Sequence, residues 1–130
     1  MVGIVIVSHS HLLAEGLKQL AAELSQDSVR IATAGGLDDS TTGTNVEKIR
    51  QAIDSIYTEE GIIIFFDLGS SLISTQMAIE MFPEEQQKKI QISDAPLVEG
   101  ALIAAVEASI GRSLNEVCIA ADCTRQAKKM

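Results

Sequence analysis

The feature that most constrains this chain is its alternation between two hydrophobic periods. Short β-branched runs begin near Gly3, Val29, Gly61 and Lys89, and helix-periodic stretches separate them. Gly3–Val7 ends abruptly at Ser8-His9-Ser10, and Gly61–Phe66 is the most apolar run in the chain. Both suit strands buried on two faces rather than one. Between them, Leu12, Leu13, Gly16, Leu17, Leu20, Ala21 and Leu24 recur at helical spacing, which predicts an amphipathic helix over Leu12–Leu24 with Leu12 and Leu13 in the core. Strand–helix units of ~30 residues imply a parallel sheet with helices on both faces. The fold class is therefore α/β, doubly wound. The simplest order is 2-1-3-4, with a switch point between strands 1 and 3.

The remaining elements follow the same logic. Val29–Thr33 is the second strand, and Ala34–Gly43 is a polar, Gly-rich loop in which the paired Gly35-Gly36 marks a tight turn or close backbone approach. Thr44 to Glu47 fits a capping box, followed by a helix with Val46, Ile49, Ile53 and Ile56 on one face. A third helix carries Ile73, Met77, Ile79 and Met81, with Met77 and Met81 expected in the core, and ends near Pro83. Lys89–Ser93 is the fourth strand. A helix runs from Leu97 to Ile110, and Ser113 to Glu116 forms a second capping box. Lys128 and Lys129 suit a helix C-terminus. No linker or low-complexity tract interrupts residues 1–130, which are read as one domain.

Composition removes several function classes. Ten basic against eighteen acidic residues give a formal charge of −8. Such a surface repels phosphate backbones and anionic lipid, so neither nucleic acid nor membrane is expected as a partner. A basic protein partner fits, and its association would weaken with salt. The longest apolar run, Ile62–Phe66, cannot span a bilayer, and Val2–Val7 is too short for a signal peptide. The expected compartment is the cytoplasm, with Cys118 and Cys123 reduced and acting as packing residues. His9 and His11 alone do not make a metal site, and none is expected. Phosphate-loop and dinucleotide fingerprints are missing, as is a serine-hydrolase elbow. A receiver domain would need an acidic pair where Ser8-His9-Ser10 stands.

In a doubly wound sheet, function gathers beyond the carboxyl ends of the strands at the switch point. Strand 1 ends at His9 and strand 3 at Asp67. Each precedes a helix, whose free N–H groups and dipole favour an anion. Taken singly, His9 reads as a loop residue, Asp67 as a helix cap and His11 as a solvated first-turn residue. Taken together, they fit a phosphoryl group carried on histidine. Asp67 on Nδ1 would fix the tautomer and leave Nε2 as the attacking atom. Ser10, Ser70, Ser71 and Gly36 are the expected phosphoryl-oxygen contacts.

Four segments in this order carry a resemblance: Gly3–Ser10 with Leu13–Gly16; Ala34–Gly36 followed by Gly43-Thr44; Asp67–Ser70; and Ala95–Ala101. They resemble the phosphotransferase subunits of phosphoenolpyruvate-dependent dihydroxyacetone kinases, a branch of the mannose-type enzyme IIA family. The resemblance implies that His9 is phosphorylated and Asp67 is its partner. It implies the phosphocarrier protein HPr as donor, ADP on a dihydroxyacetone kinase subunit as acceptor, and a homodimer. No separate cofactor is implied, because the phosphoryl group rides covalently on His9. Some family members carry fused HPr-like and enzyme I-like domains, for which 130 residues leave no room; separate donors are expected. The loop Asp38–Gly43 departs from the family pattern, with less glycine and no basic residue before Gly43-Thr44. Two other readings stay open, a sugar-permease enzyme IIA and a non-catalytic flavodoxin-like binding module.

Overall fold

The computed structural model describes residues 1–130. Four strands, β1 (Gly3–Ser8), β2 (Ile31–Gly35), β3 (Ile62–Phe66) and β4 (Ile90–Ser93), form one sheet in the order β2-β1-β3-β4. All three pairings are parallel. Around the sheet lie α1 (His11–Leu24), α2 (Val46–Ile56), α3 (Gly69–Ile79), α4 (Glu84–Gln87), α5 (Leu97–Ser109) and α6 (Leu114–Cys123). The α/β doubly wound class and the strand order are those the sequence predicts.

Strand side chains alternate between faces, and this splits the core in two. Ile4, Ile6, Ile63 and Phe65 pack with Ala14 and Leu17 of α1, the alanines of α5 and Val117 of α6. Val5, Val7, Ile62 and Ile64 pack with Ile49 and Ile53 of α2 and Ala78 of α3. Every strand residue from Ile4 to Val7 is fully buried, which explains the unbroken β-branched runs. No helix is long and apolar enough to cross a membrane.

Several local expectations change. β2 begins at Ile31 and runs to Gly35, because Ile4 pairs with Ile31 and Ser8 with Gly35. The cap of α2 is Asn45, whose side chain accepts from the Glu47 and Lys48 amides. The Thr44–Glu47 capping box therefore does not form, and Thr44 Oγ1 lies 2.9 Å from Ser74 Oγ instead. The second box, Ser113 with Glu116, is present in both directions. Helix α6 stops at Cys123 with no basic residue in its last turn; Lys129 pairs with Glu99 at 2.7 Å. Cys118 packs partly buried against the core, whereas Cys123 is exposed rather than a packing residue.

The largest corrections concern helix rotation. Leu12 and Leu13 are 79% and 44% exposed, and the buried face of α1 is Ala14, Leu17 and Ala21. Ile73, Met77 and Met81 are likewise exposed, while α3 buries Ser71, Thr75 and Ala78. In α1 the small Ala14 lets the start of the helix lie close to the sheet, and that approach wins over burying Leu12 and Leu13.

Gly35 shows how close. A β-carbon there would stand 2.8 Å from both His11 Cα and Ser10 O and 2.9 Å from Ala14 Cβ. Two of the three are backbone-bound atoms with nowhere to move. Gly35→Ala should lower the unfolding free energy by about 1–3 kcal/mol through overpacking. An unchanged urea midpoint would contradict this account of the β2–α1 contact.

Candidate functional site

The site is built by register. Val7 pairs with Phe66 across β1 and β3, so the next residues of the two strands, Ser8 and Asp67, emerge side by side. This brings His9 and Asp67 together from 58 positions apart. His9 Nδ1 lies 3.0 Å from Asp67 Oδ1. The His9 backbone N–H donates to Asp67 Oδ2 at 2.9 Å, while its carbonyl accepts from the Gly43 amide at 2.9 Å. The histidine is thus clamped by β3 on one side and by the loop after β2 on the other.

The carboxylate is crowded with donors. Oδ2 also accepts from Ser8 Oγ at 2.9 Å. Oδ1 accepts from Ser71 Oγ at 2.8 Å and from the Leu68 amide at 2.7 Å. A carboxylate so placed is an acceptor only, so the ring nitrogen facing it carries the proton. In the neutral ring the lone pair then lies on Nε2, and Ser70 Oγ stands 2.7 Å from that atom.

The other expected residues take different places. Ser10 caps α1, its hydroxyl accepting from the Leu13 amide. Ser71 is fully buried and committed to Asp67. It lies 3.2 Å from His9 Nδ1, on the side away from Nε2. The Gly36 amide is spent on the Ser8 carbonyl at 3.0 Å; Gly36 serves the turn, at φ 74°. Of the four expected phosphoryl contacts, only Ser70 faces Nε2. No side chain caps α3; the Ser71 amide turns back to the Leu68 carbonyl at 2.9 Å, which leaves the Gly69 and Ser70 amides open at the start of the helix. His11 Nδ1 stands 3.6 Å from Asp39 Oδ1. Ser8 was absent from the expected set; its only signal was a hydroxyl closing a strand otherwise β-branched from Ile4 to Val7.

His9, Ser10, His11 and Leu12 open onto a cleft of about 360 Å³ whose other wall is Asp38 to Thr42. The His9 side chain is 26% exposed and that of Asp67 16%. The imidazole is therefore reachable, and its carboxylate partner is shielded.

Known proteins resemble the chain in sequence and in fold. The chain matches the EIIA-man family, described as PTS system fructose IIA component, over residues 3–118. It belongs to that family. Within it, the chain is 42% identical over 132 residues to the PEP-dependent dihydroxyacetone kinase, phosphoryl donor subunit DhaM, of Providencia stuartii. That match covers 99% of this chain and 28% of the relative, so this chain spans less than a third of its length. A DhaM of Listeria innocua, from dihydroxyacetone kinase 2, is 42% identical over 117 residues, covering 90% of this chain and 94% of the relative. The crystal structure of the EIIA component from Streptococcus agalactiae has the same fold, with a TM-score of 0.69 at 13% identity over 96% of this chain and 92% of that one.

Asp67 gives a pH signature. Burial alone would raise its pKa, but the His9 amide and ring, the Ser71 hydroxyl and the Leu68 amide outweigh it and lower the value from 3.8 to about 2. A depressed carboxyl pKa stabilises the folded state above the unfolded value, and the gain is lost as pH falls through the folded value. The contribution is on the order of 2 kcal/mol at neutral pH, disappearing between about pH 4 and pH 2. The stability gap between wild type and Asp67→Asn should shrink by that amount across the window. A gap that stays constant in urea titrations would contradict the assignment.

Proposed function

We propose that the protein is a phosphoryl-relay subunit that receives a phosphoryl group on His9 and passes it to ADP bound on a dihydroxyacetone kinase subunit. The observation that carries the reading is the Asp67 carboxylate on Nδ1, with Nε2 turned away from it toward the Ser70 hydroxyl at the rim of the sheet. Membership of the EIIA-man family and the likeness to phosphoryl donor subunits support the same chemistry.

In the first step, the Nε2 lone pair attacks phosphorus on the donor, phosphorylated HPr. The P–N bond to the donor imidazole breaks and its electron pair returns to that nitrogen. The His9 proton stays on Nδ1, so the ring becomes cationic, and Asp67 balances it. In the second step, a terminal oxygen of ADP attacks phosphorus, the P–Nε2 bond breaks and the pair returns to Nε2. No proton has to cross the site in either direction. The Ser70 hydroxyl and the Gly69 and Ser70 amides at the start of α3 hold the phosphoryl oxygens; transfer of this kind asks mainly for such positioning and charge stabilisation.

The partners follow from this reading. HPr is the donor, the phosphoryl group is carried covalently without a cofactor, and the cytoplasm is where these components meet. A homodimer is part of the proposal, and the uncharged outer face of α3, with Ile73 and Met77 exposed, offers a surface for it.

Incubation with phosphoenolpyruvate, enzyme I and HPr should add one acid-labile, base-stable phosphoryl group, absent in His9→Ala. Asp67→Asn should slow uptake roughly ten- to a hundred-fold, the value of one charged hydrogen bond of about 1.5–3 kcal/mol. The phosphorylated protein should discharge onto kinase subunit with ADP, and not onto a sugar-permease IIB partner. Discharge onto IIB alone would point to a permease enzyme IIA. No uptake by the wild type would point to a binding module.

A further inference from the structure

β1 is β-branched from Ile4 to Val7 and ends on one hydroxyl, Ser8, whose side chain is completely buried. A buried hydroxyl must find partners, and Ser8 has two. Its Oγ donates to Asp67 Oδ2 at 2.9 Å and accepts from the Ser10 amide at 3.0 Å. One oxygen atom thus bridges the carboxylate and the backbone on the far side of His9. The Ser8 carbonyl holds the Gly36 amide at 3.0 Å, which ties the same residue to the loop bordering the cleft.

We propose that Ser8 is a positioning residue for His9. Its hydroxyl pins Oδ2 of Asp67 and fixes the turn of the chain through His9, so that Oδ1 alone meets Nδ1 and Nε2 faces outward. Ser8 does not touch the imidazole and acts through Asp67 and the Ser10 amide. The inference rests on the proposed phosphoryl role of His9 for its kinetic consequence, but not for its structural one.

Without the hydroxyl, Oδ2 keeps only the His9 amide, and the carboxylate turns more freely about its Cβ–Cγ bond. The hydrogen bond that selects the Nδ1–H tautomer then loosens. A ring protonated on Nε2 has no lone pair to offer there, so each molecule in that state is inactive. Threonine keeps the hydroxyl, whereas alanine removes it and cysteine replaces it with a weak donor of similar size.

The test compares Ser8→Ala, Ser8→Thr and wild type by two readouts. The first is the His9 ring-nitrogen chemical shifts, which report the tautomer without any phosphoryl transfer. The second is the rate of uptake from phosphorylated HPr at saturating and limiting donor. Ser8→Ala should show a larger Nε2–H population. Its kcat should be about ten-fold lower, with KM for the donor within about two-fold of wild type, because an orienting contact is lost and not a docking one. Ser8→Thr should restore both. Should the alanine protein fail to fold, Ser8→Cys takes its place with the same expected direction. A folded Ser8→Ala with the wild-type tautomer and kcat overturns the proposal, even if its melting temperature drops, because Ser8 would then be structural only. A folded Ser8→Thr that behaves like Ser8→Ala also overturns it. Failure of the wild type to take up phosphate would remove the relay and leave the tautomer comparison to decide Ser8.

Discussion

The Asp67 carboxylate is the interaction on which the site depends. Five donors converge on its two oxygens: the Ser8 hydroxyl, the His9 amide and ring, the Leu68 amide and the Ser71 hydroxyl. They come from both sides of the switch point, the end of β1 and the start of α3. A carboxylate has about four lone-pair directions, so this one is saturated. It cannot rotate without giving up a bond, and protonating it would do the same. It is therefore a fixed negative charge with a fixed shape, and the imidazole above it is held in orientation and tautomer by that shape.

The parallel pairing of β1 with β3 is the precondition. One residue of slip would move Asp67 away from Ser8 and turn it to the other face of the sheet. The register is secured by the alternation of Ile4, Ile6, Ile63 and Phe65 toward one helical layer and Val5, Val7, Ile62 and Ile64 toward the other. The cost of misplacing those side chains is a core-scale cost, far larger than any one hydrogen bond at the rim. Core packing sets the position of the chemistry, and the polar network refines it.

Much of this was legible in the sequence because it rests on period and on strand ends. The runs Gly3–Val7 and Gly61–Phe66 read as buried strands from their β-branched composition and flanking breaks, and 2-1-3-4 was the simplest order for such units, not one the residues dictate. That order predicted that His9 and Asp67 would meet. Side-chain pattern was a poorer guide to helix rotation. In α1 the expected Leu17 and Ala21 are inside, but Ala14 takes the place of Leu12 and Leu13, and in α3 Ser71, Thr75 and Ala78 are inside in place of Met77 and Met81. Hydropathy cannot register how closely a helix approaches a sheet. The same gap hid the assignments of Gly36 and Ser71, whose polar groups are consumed by the Ser8 carbonyl and by Asp67. It hid Ser8 as well, since a lone serine at a strand end carries no periodic signal.

The central claim is that Nε2 of His9 is the atom that bonds to phosphorus while Nδ1 keeps its proton on Asp67. Nitrogen-15 and phosphorus-31 NMR of the phosphorylated protein reads this directly. The account predicts a single phosphohistidine at His9, with phosphorus coupled to Nε2 and a proton retained on Nδ1. Phosphorus on Nδ1, or on any residue other than His9, would contradict it.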